Sequence, residues 1–147
     1  MKNRNTQLTA ILFVIAFALA PVTKAAPSPE GGPDPAAAVI TVHSTDNVTR
    51  GKIGSFVLNM TPALMLGGMY VNFSVSGTAT PGVDYVVLVS PAYIGQSGYG
   101  VISFATLPDP RAQSFHQAYS VVVTLKPGLG YALGEQKSAL IWIKSSL

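Results

Sequence analysis

From Val39 to Ile143 the chain is built of short alternating segments of apolar and polar residues, separated by turn chemistry in which glycine, proline, asparagine, aspartate and serine recur. A period of two sends alternate side chains to opposite faces of an extended backbone, whereas an amphipathic helix needs a period near 3.6. Seven runs obey the rule: VITVH from Val39, SFVLNM from Ser55, MYVNFSVS from Met69, YVVLV from Tyr85, YGVISFA from Tyr99, YSVVVTL from Tyr119 and SALIWI from Ser138. In MYVNFSVS, Val71, Phe73 and Val75 share one face while Tyr70, Asn72, Ser74 and Ser76 share the other, as in a half-buried antiparallel strand. In the last run Leu140 and Trp142 oppose Ala139, Ile141 and Ile143, which predicts cover on both faces and a core position for Trp142. Seven short strands with turn chemistry between them predict an all-β fold, a seven-stranded antiparallel immunoglobulin-like β-sandwich, with a small barrel as the alternative.

The region before Val39 has a different character. Lys2 and Arg4 precede the apolar run LTAILFVIAFALA, Leu8 to Ala20, and small residues follow at Thr23 and Ala25. This is the pattern of a secretory signal peptide, expected over residues 1–25, and the run is shorter than the roughly 20 residues a spanning helix needs. Residues 26–38, APSPEGGPDPAAA, lack any apolar period and are rich in proline, which fixes φ and removes backbone donors; they are expected to form an extended leader to a domain over 39–147. The expected destination is the periplasm or the extracellular space, with no membrane span once the signal is removed.

Export changes the charge balance. Lys2, Arg4 and Lys24 leave with the signal, and the remaining Arg50, Lys52, Arg111, Lys126, Lys137 and Lys144 equal Glu30, Asp34, Asp46, Asp84, Asp109 and Glu135 in number. Single scattered cations do not build the clustered surface that displaces counterions from phosphates, so a nucleic-acid partner is not expected. The absence of cysteine excludes disulfides, thiolate metal sites and haem attachment through thioethers.

One stretch carries more than a strand pattern. VNFSVSGTATPGVDYVVL, Val71 to Leu88, resembles the signature of Calx-beta domains: an apolar strand, Gly-Thr-Ala, a short turn, Asp-Tyr and a further strand. VITVHSTDNVTRGKIGSFVLNM resembles the first two strands of that family, and YSVVVTLKPGLGYALGEQKSALIWI its last two with their connection, so the similarity extends over about Val39 to Ile143. The resemblance implies a seven-stranded sandwich that in several members binds calcium at the loops of one end and serves regulation, adhesion or cell-surface assembly.

The resemblance also implies where calcium ligands would stand, and this chain departs from that set. Arg50 and Lys52 lie where an acidic residue is expected before the second strand, with Asp46 a little upstream. The Asp-Tyr aspartate is present as Asp84, the acidic cluster before the penultimate strand is reduced to Asp109 with Arg111 and His116 beside it, and Lys144 and serines replace the final aspartates. Calcium takes six to eight oxygens, several from carboxylates, and Asp84 and Asp109 alone are expected to leave at most a residual calcium site. Asp84 is expected chiefly to stabilise its turn by accepting backbone N–H groups, with Gly82 supplying a positive φ and Thr78 and Thr80 making local hydroxyl bonds.

Other chemistry is sparse. His43 and His116 have no acidic cluster near them in sequence, no serine sits in a nucleophile elbow, and GLGYALG and GQSGYG lack the residues of dinucleotide and phosphate loops. Tyr131, within GLGYALG, is expected to turn inward and bond backbone as a corner tyrosine. Asn47, Asn59 and Asn72 lie in sequons, which matter only in a eukaryotic secretory pathway. No acid, base and nucleophile converge, so an enzyme is not expected. The expectation is a secreted structural or adhesion-like module with a largely lost calcium site, binding a protein or glycan through an edge strand or apolar patch. The alternative is a calcium-dependent binding module whose weak site a partner completes.

Overall fold

The computed structural model describes residues 37–63, 67–108 and 117–145, so the expected signal peptide and almost all of the expected leader lie outside the described residues. Ten strands form two facing sheets: β1 (Ala38–Ser44), β2 (Val48–Thr49), β3 (Ile53–Thr61), β4 (Met69–Val71), β5 (Phe73–Ser76), β6 (Ala92–Ile94), β7 (Tyr99–Ala105), β8 (Tyr119–Leu125), β9 (Tyr131–Leu133) and β10 (Ser138–Lys144). One sheet runs β4-β6-β7-β3-β1-β9 and the other β2-β10-β8-β5. Among the described residues there is no helix, and none long and apolar enough to cross a membrane.

The period of two explains the packing. Inward residues Ile40 and Val42 of β1, Phe56 and Leu58 of β3, and Ile102 and Phe104 of β7 meet Val121 and Val123 of β8 and Ile141 and Ile143 of β10 in one core. Phe56 and Phe104 stack with ring centroids 5.9 Å apart, and Tyr85 sets its ring edge-on to Phe104 at 5.6 Å. Burying this apolar surface supplies the main driving force for a chain that has no disulfide.

The structure departs from the expected seven antiparallel strands in three ways. First, MYVNFSVS is two strands in different sheets: β4 pairs with β6, and β5 pairs with β8. Val71 and Phe73 are both buried, so alternation continues through the switch at Asn72 and does not betray it. Second, the sheets are mixed, because β9 joins β1 and β2 joins β10 in parallel. Each of these strands arrives from the opposite sheet, so no hairpin dictates its direction. Third, YVVLV is not a strand; Tyr85 makes isolated bridges to Pro81 and Thr106, and Val86 to Val89 follow as irregular chain.

The outer face of β10 also differs from expectation. Leu140 and Trp142 are each 40% exposed, so Trp142 is not a core residue and nothing among the described residues seals that face. The Trp142 amide donates to Asn47 Oδ1 at 3.0 Å, which ties the β1–β2 connection to β10.

Tyr131 takes the corner position. Its hydroxyl donates to the Lys126 carbonyl at 2.7 Å and accepts the Asn72 amide at 3.1 Å, while Lys126 N–H donates to the Asn72 carbonyl at 2.8 Å. One buried phenol thus holds the sheet switch against the β8–β9 connection. Tyr131→Phe removes the hydroxyl that bridges a part-buried amide and carbonyl and is expected to lower stability by about 0.5–1.5 kcal/mol in urea unfolding, with the native spectrum retained.

Candidate functional site

The loop end that carries Asp84 is assembled from three segments remote in sequence. The first is the tight turn between β2 and β3, closed by Lys52 N–H to the Thr49 carbonyl at 3.0 Å, which places Arg50 at its tip. The Arg50 amide donates to the Lys144 carbonyl at 3.0 Å, continuing the parallel β2–β10 pairing into the turn. The second is SGTATPGVDY. Gly77 has φ 121, and a Cβ there would stand 2.2 Å from the Ser120 carbonyl oxygen, so only glycine fits.

That close approach lets the motif clamp onto β8. Thr78 N–H donates to Ser120 Oγ at 3.0 Å, Ser120 N–H donates to Thr78 Oγ1 at 2.8 Å, and Ala79 N–H donates to the Ser120 carbonyl at 2.9 Å. The Thr78 hydroxyl therefore acts across strands rather than in its own turn, contrary to the sequence expectation. Beyond the clamp the chain reverses around Gly82, at φ 77, with Gly82 N–H donating to the Tyr85 carbonyl at 2.8 Å.

Asp84 closes this reversal and does more. Its amide donates to the Thr80 carbonyl at 2.8 Å while its Oδ2 accepts the Thr80 amide at 2.7 Å, a reciprocal pair that locks the turn as expected of a turn aspartate. Its Oδ1 accepts from the Arg50 guanidinium through Nη2 at 2.6 Å. Both side chains are sequestered, Arg50 at 3% and Asp84 at 0% exposure, so this is a buried, charge-assisted bond.

The third segment is the continuation of β7. The Leu107 carbonyl accepts Arg50 Nη1 at 3.0 Å, and Leu107 N–H donates to the Asp84 carbonyl at 2.8 Å. Thr106 Oγ1 accepts Lys52 N–H at 3.1 Å and donates to the Lys52 carbonyl at 2.7 Å. The guanidinium also lies over the Tyr119 ring, 5.5 Å from its centroid, within cation–π range. Every segment at this end contacts either Arg50 or Asp84.

Of the remaining sequence candidates, those among the described residues do not join them. His43 is exposed on β1, Asp46 is exposed in the loop after it, and Lys144 is exposed at the end of β10. Asp109, Arg111 and His116 lie outside the described residues. Among the described residues no three His, Asp or Glu side chains stand together as a metal cluster. Arg50 was legible as a cation in an expected carboxylate position; its direct bond to Asp84, the Leu107 carbonyl and the Tyr119 ring were not, because the loops that hold them meet only through the sheet topology.

No family model matches the sequence, and no curated protein matches it. Two solved structures of the CARDB domain of the PF1109 protein from Pyrococcus furiosus are similar to this chain. The solution structure has 14% identity and a TM-score of 0.41, with 74% of this chain and 95% of that domain covered. The crystal structure, of that domain in complex with di-metal ions, has 16% identity and a TM-score of 0.44, with 75% and 90% covered. The likeness is distant in both sequence and backbone.

Two outcomes follow from the buried pair and its neighbour. Removing one partner breaks a buried, charge-assisted pair, so Asp84→Ala is expected to cost about 3–5 kcal/mol, and the double variant Arg50→Met with Asp84→Leu to recover much of that loss in urea unfolding. Beside the pair, burial pushes the Tyr85 phenol above its ordinary value of 10.0, and the Asp84 charge adds to the effect. The unfolded chain then ionises Tyr85 first, so its stabilisation is whole below about pH 10 and is lost as pH rises through the folded value. Stability measured against pH is expected to fall less steeply above pH 10 in Tyr85→Phe than in the parent.

Proposed function

We propose that this chain is an exported, non-enzymatic structural or adhesion-like module of Calx-beta type, in which the guanidinium of Arg50 stands where calcium-binding members of that family hold an ion. The observation that carries this reading is the buried bond from Arg50 to Asp84. The aspartate retained from the family motif has both oxygens engaged by protein donors, Oδ1 by Arg50 and Oδ2 by the Thr80 amide. A divalent ion approaching Oδ1 must expel a guanidinium held by a carbonyl and an aromatic ring, and meets a like charge in a poorly hydrated site.

The reading accords with the rest of the molecule. The loop end that would take up an ion is instead cross-linked from within. A module of this kind works by presenting rigid surfaces to a protein or glycan in the periplasm or outside the cell. The N-terminal apolar segment supports export.

Thermal unfolding with and without about 2 mM calcium tests the proposal, because an ion specific to the native state must raise the melting temperature by mass action. The expected outcome is an unchanged melting temperature in the parent. A reproducible rise that Asp84→Ala abolishes would show that Asp84 binds the ion and would overturn the reading.

A further inference from the structure

The outer face of the six-stranded sheet is unusual for a surface exposed to water. None of the residues in β1, β3, β4, β6, β7 or β9 is Asp, Glu, Lys or Arg. Charged residues make up 10% of the whole chain, against roughly a quarter in ordinary soluble domains; the described strands of the other sheet hold one, Lys144 at the end of β10, and those of this sheet hold none. Strand pairing aligns Tyr70 with Tyr93, Val101 with Val57, and Val57 with His43, and the Ile94–Gly100 pair sets Tyr93 beside Val101. The result is a continuous row across the sheet: Tyr70, Tyr93, Val101, Val57, His43. Tyr70, Tyr93 and Val101 are 66%, 52% and 43% exposed.

We infer that this face is an interface between two copies of the chain, packed sheet to sheet about a two-fold axis near the Val57–Val101 pair. Three observations select a second copy. In an isologous interface each residue near the axis meets its own kind, so any fixed charge there is repelled by itself; this face carries none. Mixed aromatic, β-branched and hydroxyl side chains on a twisted sheet are what an aligned sheet-on-sheet contact interleaves. Tyr70 and Tyr93, 5.2 Å apart, are inclined at 54°, so they interlock with relief on an opposing sheet and do not share the plane that a sugar ring stacks on.

The alternative route to self-association, edge pairing, is blunted. The four edge strands β4, β9, β2 and β5 have 3, 3, 2 and 4 residues, too short to template an extended partner. The face itself is six strands wide at ~4.8 Å each, with about five residues of ~3.4 Å per strand on average, or roughly 500 Å² on each copy. About 1,000 Å² in total lies at the lower end of specific interfaces, so the association is weak, in the range of roughly 10 µM to 1 mM. It is independent of the ion-paired loop end.

Sedimentation of the purified chain as the cell delivers it, over that concentration range, is expected to show a reversible monomer–dimer equilibrium. Val101→Lys, which sets an ammonium against its own copy, is expected to weaken dimerisation at least about tenfold, while Leu140→Lys on the other sheet leaves it unchanged. The chain has no cysteine, so a single introduced thiol reports contact without ambiguity. Under mild oxidation Val101→Cys is expected to yield a disulfide-linked dimer on a non-reducing gel and Leu140→Cys a monomer, and this readout stands even if the lysine variant misfolds. A chain that stays monomeric to about 1 mM overturns the inference, as does a dimer disrupted by Leu140→Lys and not by Val101→Lys.

Discussion

The Arg50–Asp84 bond is the constraint on which the loop end depends. Neither group tolerates burial alone, since an isolated carboxylate or guanidinium in a poorly hydrated site costs several kcal/mol, on the order of the stability of a whole domain. The turn that bears Arg50 and the turn that bears Asp84 must therefore close together. Leu107 joins them because its carbonyl takes a second guanidinium proton while its amide bonds the Asp84 backbone. Tyr119 completes the enclosure by placing an aromatic face against the cation. Well-packed hydrophobic replacements of the same volume often match such a pair in net stability, so the pair's distinctive contribution is a directional contact between these two turns.

A division of labour follows along the molecule. The sheets are held by apolar burial and are nearly free of charge, Lys144 being the only charged residue in the strands among the described residues. Register there is secured by alternation, because a slip of one residue would carry Ile40, Val42, Phe56 and Leu58 out of the core. Hydrogen-bonded devices appear where alternation gives out. Tyr131 secures the strand that changes sheet, Gly77 and Thr78 secure the departure from β5, and the ion pair secures the end beyond.

This division also explains what could be read from sequence. Alternation revealed the strands and the inward faces, since burial of every second side chain is a local property. It could not reveal that β4 and β5 belong to different sheets, because Val71 and Phe73 point inward on either side of Asn72. It overstated Tyr85 to Val89, where the Tyr85 bridge and the Val86 amide, bonded to the Ala105 carbonyl, are not continued into a ladder. It misplaced Trp142, because apolar residues on both faces of β10 suggested cover that the described residues do not provide. Tyr131 was legible from its glycine-flanked setting. At the loop end, the oddity of Arg50 and the turn role of Asp84 were each visible, and their partnership was not: it is created by a parallel β2–β10 pairing that no local pattern encodes.

An internal cation differs physically from a bound one. The order that a metal imposes on a loop end grows with the logarithm of its free concentration, so a module held in that way stiffens and loosens with its medium. A guanidinium tethered to the turn it organises is always present, and its contribution does not vary with the medium. It gives up responsiveness in exchange, since nothing in the medium can be withdrawn to release it. A loop end locked in this way offers little that could change on binding, which shifts any recognition to surfaces rigid in advance. The uncharged sheet face, centred on Val57 and Val101 and flanked by Tyr93 and Tyr70, is the largest such surface the strand pairing creates.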